Sequence, residues 1–410
     1  MATKTGLQTR KLIMVTADNN NKFYDMEQLN DQEWKATWGR VGVTSTSKVY
    51  SMREWSKKYS EKVKKGYKDQ TELFIVDTKK KDFAGISDSS IATIVSDLQA
   101  FANKSVQANY TVTTDQVTQK QVDAAQIIID DLTQLVKKGA STKNFNDNLL
   151  QLWMTVPRRI SNTREAILQF GTFNTNDKVS FADKMLAEEQ ATLDVMRGQV
   201  KVAAAQKGQD SGPDLTILDA MGLEMSPVTQ GDVKIIKAQL GEISNKFVRA
   251  WQVGNKRTKE KFDQFLGNAA NKRQELFWHG SRNENWWSIL DSGLVLRPAN
   301  AVITGKMFGY GIYFADKARK SYGYTSARGS YWARGSSNRC FMCLFDVHLG
   351  NPLHILHHSS WCYDLTEPKL KKRGNYDSVF AEGGADLRNN EYIVYNDAEC
   401  TVKYLVELQG

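Results

Sequence analysis

Leu276-Phe277-Trp278-His279-Gly280-Ser281-Arg282 opens a stretch that continues with Lys306-Met307-Phe308-Gly309-Tyr310-Gly311-Ile312-Tyr313-Phe314-Ala315-Asp316 and closes on Lys320-Ser321-Tyr322-Gly323-Tyr324. A His followed at once by Gly sets a ring donor beside backbone that a flat ligand can approach, because Gly has no Cβ. A carboxamide suits such a place. Gly309 and Gly311 break the chain immediately before the apolar run Ile312 to Ala315, which predicts a tight loop feeding a buried strand. The Gly-x-Gly is not a dinucleotide fingerprint, since the third Gly and the following helix are missing, and no Gly-Lys-Ser/Thr phosphate loop is present.

Taken with Asn390-Glu391-Tyr392-Ile393-Val394-Tyr395, these segments in this order resemble the catalytic domain of poly(ADP-ribose) polymerases. The resemblance implies NAD+ as substrate. It implies that Gly280 offers its backbone N–H and C=O to the nicotinamide carboxamide and Ser321 its hydroxyl, that Tyr324 and Tyr313 stack on the ring, and that His279 holds ribose hydroxyls. Ser281, Phe314, Ala315 and Arg297 complete the implied NAD-binding set. Glu391 is the implied catalytic carboxylate beside the oxocarbenium-like state, where opposite charge is most effective. Lys320 matches a position that helps place the acceptor. His279, Tyr313 and Glu391 match the triad of polymer-forming members, so chain elongation is expected. Two positions depart from the pattern: Lys306 stands where the family has a Tyr of the NAD pocket, and Val295 where DNA-dependent members carry an Arg near adenine, a role Arg297 could fill. The stretch Lys369 to Arg388 is shorter than the expected acceptor-side loop.

Composition sets the frame for these motifs. The chain has 410 residues, 41% of them hydrophobic and 25% charged, enough for two or three ordinary globular domains. No apolar run approaches the roughly 18 residues that span a bilayer, and Leu12 to Val15 is too short for a secretory signal core. Four cysteines make no disulfide framework, and a reducing setting is expected. Of the net charge of +9, residues 1–82 carry +6, from 17 Lys and Arg against 11 Asp and Glu. A local basic excess of this kind is the footprint of a phosphate-backbone binder; a solvated surface with surplus Lys is the plainer alternative.

From Lys11 to about Ile75 short extended runs alternate with turns, Asp18-Asn19-Asn20-Asn21 being one, and a helix is predicted over Ser51 to Lys65 with Trp55, Tyr59 and Val63 on one face. Trp38-Gly39-Arg40-Val41-Gly42 stands among the strands, and Lys48 to Lys68 holds eight Lys or Arg and two acids. A Trp beside an Arg can stack on a base or sugar while the guanidinium meets a phosphate; equally, Trp38 could be core and Arg40 could bind a neighbouring domain. The segment resembles the WGR module of DNA-dependent poly(ADP-ribose) polymerases. That implies DNA binding through Trp38, Gly39, Arg40 and Lys48, with Arg40 also joining the module to a regulatory domain.

Residues 78–88 read as a linker. Helical periodicity follows: Ile91, Ile94, Leu98 and Phe101; then Val122, Ala125, Ile129, Leu132 and Val136, with Thr118 and Gln121 as capping box and Gly139 as stop. Further helices are predicted over Asn144 to Thr155, Phe181 to Ala205 and Asp232 to Ile243, with a loop over Lys207 to Pro213. The bundle resembles the family's helical regulatory domain, which implies that it blocks NAD until DNA loosens it. From about Phe247 strands return, and Val402, Tyr404, Val406 and Leu408 alternate with Thr401, Lys403, Leu405 and Glu407. Cys340-x-x-Cys343 with His348, His354, His357 and His358 could suggest zinc, yet Cys340 to Val347 reads as a buried strand that turns the two thiols to opposite faces. No metal is expected.

The fold class expected is multidomain α+β: a small β-rich WGR domain (1–82), an all-α helical bundle (88–245) and a mixed α/β-rich ADP-ribosyltransferase domain (246–410). The expected function is a DNA-break-activated NAD+ ADP-ribosyltransferase forming poly(ADP-ribose). Implied partners are DNA strand breaks, protein acceptors including the chain itself, and an auxiliary specificity factor, with no membrane. The implied location is the nucleus on chromatin, or the nucleoid of a bacterial source. Mono-transfer to protein or nucleic acid ends, and a silent DNA-binding scaffold, are the alternatives.

Overall fold

The computed structural model describes residues 3–4, 7–74, 83–109, 117–169, 171–173, 176–207, 215–296, 307–327, 329–330, 333–334 and 337–410. They form two compact units, one drawn from residues 1–80 and 103–207, the other from 81–102, 208–301 and 305–410. Residues 78–82 of the linker read over 78–88, residues 208–213 of the loop read over Lys207 to Pro213, Arg297 and Lys306 lie outside the described residues.

The N-terminal unit begins with an antiparallel meander, β1 (Leu7–Thr16), β2 (Asn20–Gln28), β3 (Glu33–Arg40) and β4 (Thr46–Ser51), flanked by two-residue strands at Thr3–Lys4 and Lys68–Asp69. Asn19, in the first turn, has φ 66, a left-handed conformation that Asn tolerates. Helix α1 (Trp55–Lys64) closes one face over a core of Leu12, Tyr24, Met26, Trp34, Ala36 and Trp55. Its apolar contacts with that core come from Trp55 and Tyr59; Val63, expected on the same face, is 43% exposed.

Helix α2 (Ser89–Asn109) contributes residues up to Ala102 to the C-terminal unit. Helix α3 (Gln119–Lys137) starts at the Thr118/Gln121 capping box, and Thr118 Oγ1 also donates to the Leu73 carbonyl at 2.6 Å. Its apolar face, Val122, Ala125, Ile129, Leu132 and Val136, is fully inside. It packs with α4 (Thr142–Thr155) and α5 (Asn176–Lys207).

In the C-terminal unit, β5 (Leu223–Pro227), α6 (Gln230–Leu240), β6 (Phe247–Asn255), α7 (Lys256–Asn268) and β7 (Gln274–Gly280) precede the short helix α8 (Trp286–Ser292). Then come β8 (Ile312–Phe314), α9 (Ala318–Tyr322), β9 (Arg339–His348), β10 (Pro352–Ile355), α10 (Glu367–Gly374), β11 (Ser378–Ala381), β12 (Glu391–Val394) and β13 (Cys400–Gln409). Among the described residues they make a five-stranded sheet, β5-β6-β13-β9-β7, and a four-stranded sheet, β8-β12-β11-β10. Ile236 and Leu240 of α6, with Ile243 beyond it, join Trp278, Leu344 and Val406 in one core, so this helix covers the larger sheet.

The alternation read in β13 does not give a wet face. Thr401, Leu405 and Glu407 are buried along with Val402, Tyr404, Val406 and Leu408, so both faces of β13 are covered along most of its length. Burying the Glu407 carboxylate is tolerable because two guanidinium groups meet it: Arg249 Nε at 2.7 Å and Arg339 from the other neighbouring strand.

Candidate functional site

Among the described residues, the two sheets of the C-terminal unit are bridged backbone to backbone at Trp278 and Ala315. Trp278 N–H donates to the Ala315 carbonyl at 2.9 Å and Ala315 N–H to the Trp278 carbonyl at 3.0 Å. Trp278 is wholly buried, and its indole N–H reaches the Gln239 carbonyl at 3.0 Å. Immediately after it, His279 sets Nδ1 3.0 Å from the Tyr313 carbonyl. A carbonyl can only accept, so Nδ1 carries the proton. The ring stands edge-on to Trp286, Phe314 and Phe345 at about 6 Å between centroids, an apolar wall that fixes its plane.

Gly280 passes so close to α9 that a Cβ there would overlap the Ser321 carbonyl. In the sequence the missing Cβ reads as room for a flat ligand; in the structure that space is taken by the Ser321 backbone. Ser321 is buried, and its hydroxyl donates to the Trp278 carbonyl at 3.1 Å, which leaves its oxygen lone pairs as acceptors. Tyr324 follows, 53% exposed. Ser281 Oγ instead accepts from Asn285 at 2.9 Å and steadies the turn into α8.

Tyr313, on β8, faces the loop that precedes it: its hydroxyl donates to the Gly309 carbonyl and accepts from Phe308 N–H, both at 3.0 Å. Burial, reinforced by the charge of Glu391, holds that phenol well above the ordinary tyrosine range. Gly309 has φ 70, a position open to Gly, and a Cβ would run into the Leu365 backbone. Phe314 and Ala315 are each 2% exposed and form the floor.

Glu391 starts β12, beside β8, where Tyr392 pairs with Phe314 and Ile393 with Tyr313. Its carboxylate is ion-paired with the Lys320 ammonium, each side chain 15% exposed. Burial pulls the Lys320 ammonium below the usual lysine range even though Glu391 opposes that fall. The seam thus brings His279, Gly280, Tyr313, Lys320, Ser321 and Glu391 onto adjoining strand ends and one short helix. Two residues quoted from the motifs but given no role belong to the same place. Asn390 Nδ2 donates to Asp316 Oδ2 at 2.7 Å, and the Asn390 carbonyl accepts from Lys320 at 3.3 Å. Their signal was adjacency, Asp316 closing one motif and Asn390 opening the next. Val295 is 59% exposed.

All four cysteines are buried thiols, and burial pushes each of them up. Among the described residues no group of three or more His, Cys, Asp or Glu is arranged to hold a metal ion.

In the N-terminal unit, Trp38 stacks on Tyr24 with ring centroids 5.9 Å apart. Lys62 lies 4.0 Å over the Tyr24 ring, and Lys48 and Lys58 lie 5.1 and 5.5 Å over Tyr50. Lys48 also lines a shallow groove of about 450 Å³ with Glu33, Tyr50 and Glu54. Gly39 lets β3 pass the Thr44 carbonyl, which a Cβ would approach to 3.2 Å. Arg40 turns inward: its guanidinium donates to the carbonyls of Asn19 (3.0 Å), Ile160 (3.1 Å) and Ser161 (2.7 Å) and to the Asn19 side chain (2.8 Å). Asn21 to the Arg158 carbonyl at 2.9 Å and Thr163 Oγ1 to the Thr16 carbonyl at 2.8 Å complete that join between the sheet and the segment after α4.

Residues 233–410 match the family described as poly(ADP-ribose) polymerase catalytic domain. A putative poly(ADP-ribose) polymerase-like protein, 100L, of Invertebrate iridescent virus 6 is 28% identical over 43% of this chain and 93% of its own length. Poly(ADP-ribose) polymerase 2 of Homo sapiens is 32% identical over 33% of this chain, a stretch that is 26% of the human protein. Poly(ADP-ribose) polymerase 2-A of Oryza sativa subsp. japonica is 24% identical over 95% of this chain and 68% of its own length.

Proposed function

We propose that this protein, an NAD+ ADP-ribosyltransferase through the catalytic domain it carries at residues 233–410, is switched on by DNA strand breaks and builds poly(ADP-ribose) on protein acceptors, itself included. The observation that carries the chemistry is the Glu391–Lys320 pair held at the seam beside His279 and Tyr313. Loss of nicotinamide from NAD+ breaks the C1′–N bond, the electron pair leaving with the nicotinamide, and develops positive charge at C1′. Glu391 is the carboxylate that faces such a charge, and an acceptor hydroxyl then forms the new C1′–O bond and gives up its proton to that carboxylate. Preorganised opposite charge of this kind contributes on the order of 10²-fold or more in rate.

The residues present fit the leaving group. Gly280 lets its part-buried backbone lie directly against Ser321, and the Ser321 oxygen, its proton spent on Trp278, is an acceptor for a carboxamide N–H. Tyr324 offers an exposed ring for stacking. For DNA, the support is the row of lysines laid over Tyr24 and Tyr50 beside Trp38, an arrangement of cations and rings that suits a phosphate backbone and unstacked bases. Arg40 acts as the clamp that carries the state of that sheet to the helices of its own unit.

Labelled NAD+ incubated with and without nicked or 5′-phosphorylated duplex DNA, beside Glu391→Gln, tests the reading. A DNA-stimulated ladder of self-modification that Glu391→Gln reduces to short products or nothing supports it. Equal activity without DNA removes the switch, single additions remove the polymer, and absence of nicotinamide release removes the whole proposal.

A further inference from the structure

Beyond the triad, the seam holds a second carboxylate whose arrangement no sequence motif explains. Asp316 directly follows Ala315, the residue fastened to Trp278. Its Oδ2 accepts from Asn390 Nδ2 at 2.7 Å, whereas its Oδ1 is buried and has no hydrogen-bond partner among the described residues. A buried carboxylate oxygen without a donor is costly, so a donor that comes within its reach is favoured. The nearby donor is Lys320. Two of the three N–H groups of that ammonium go to Glu391 and to the Asn390 carbonyl, and the charge of Asp316 acts on it. Asn390 holds the assembly in register: its side chain joins Asp316 to the Gly383 N–H, its carbonyl faces Lys320, and its chain continues into Glu391.

We propose that Asp316 is a positioning residue for the transfer step, the alternate partner that takes the Lys320 ammonium on Oδ1 when substrate draws the Glu391 carboxylate away. This rests on the reading of Glu391 given above, because only a Glu391 engaged by substrate needs to release Lys320. Without Asp316, that release would strand a cation only 15% exposed, and breaking a buried pair on one side is expensive. With it, the ammonium moves between two carboxylates, no bond to carbon changes, and Glu391 is delivered with its full charge.

The discriminating variant is Asp316→Asn, because the amide it introduces still accepts from Asn390 and only the charge is removed. In DNA-stimulated turnover, kcat should fall about tenfold, the size of one lost charge interaction of about one pKa unit, while KM for NAD+ stays within about twofold. The alkaline limb of kcat should move to lower pH. The ionised groups acting on Lys320 are Glu391 and Asp316, and Tyr313 and Tyr324 share the field of Glu391. Removing one carboxylate therefore leaves burial less opposed and the ammonium easier to discharge. Asp316→Glu should recover part of kcat. Unchanged kcat and pH limb in Asp316→Asn overturn the proposal, as does a parallel loss of kcat, KM and melting temperature that Asp316→Glu does not repair. If Asp316→Asn does not fold, Asn390→Ser decides: it removes the amide that holds Asp316 in register, so kcat should fall with KM for NAD+ held within about twofold, and an unchanged kcat overturns the proposal. A wild-type protein that releases no nicotinamide instead removes the underlying reading of Glu391 and this inference with it.

Discussion

On the N-terminal sheet Lys62 stands 4.0 Å over the Tyr24 ring and Lys48 5.1 Å over Tyr50, while at the C-terminal seam Lys320 is buried against Glu391. Both regions use lysine, with opposite results. A cation over a ring keeps nearly its whole charge and loses little when a phosphate replaces the ring as its partner. A cation shut in with a carboxylate has its charge cancelled locally, and any change of partner is felt at once by both groups. The first arrangement suits a surface that meets polyanions and answers to salt. The second suits a site whose charges must be rearranged in order.

Breaking the buried arrangement should produce the largest effect. Glu391→Gln is expected to lower nicotinamide release by about 10²-fold or more, measured under DNA-saturated conditions, with duplex affinity unchanged. Gly280→Ala comes next. Its methyl must push back the Ser321 backbone, and overpacking of this kind costs about 1–3 kcal/mol; KM for NAD+ should rise about tenfold in steady-state kinetics, again with DNA affinity intact. The surface arrangement should fail more gently. Lys62→Ala is expected to weaken duplex binding severalfold at low salt and to reduce the slope of log affinity against log salt by about one, seen by fluorescence anisotropy, while DNA-independent turnover stays the same. A variant that altered both readouts would erase the distinction.

The smallest effect belongs to neither surface nor seam. Burial pushes the Asp183 carboxyl on α5 up to about 6, with Lys137 opposing. A carboxyl raised by folding binds its proton more tightly in the native state, so that state loses stability as pH rises from about 3.8 to about 6 and stays lower above that window. Asp183→Asn should flatten this slope in thermal melts between pH 4 and 7 and leave both DNA affinity and NAD+ turnover unchanged.

What was legible in the sequence was local. The Gly309 and Gly311 break before Ile312, the Thr118/Gln121 capping box and the strand runs around Trp38 follow from one or two residues acting on their neighbours, and the structure shows each of them. Where a face depends on what lies across from it, local pattern does not suffice. Glu407 looks like the wet side of an alternating strand until Arg249 and Arg339 are seen on the two strands beside it. Arg40, expected to join its module to a regulatory domain, donates to the carbonyls of Ile160 and Ser161, partners that no periodicity names. At the site, His279, Tyr313 and Glu391 came from motif order, whereas the role of Asn390 needed the distances to Asp316 and Lys320.

Trp278 joins the two sheets through both of its backbone groups and holds Ser321 through the same carbonyl. Its amide hydrogen should therefore exchange with deuterated water only when the whole C-terminal unit opens, at the rate set by global unfolding. Control that acted through this point would show itself as exchange of that amide faster than global unfolding.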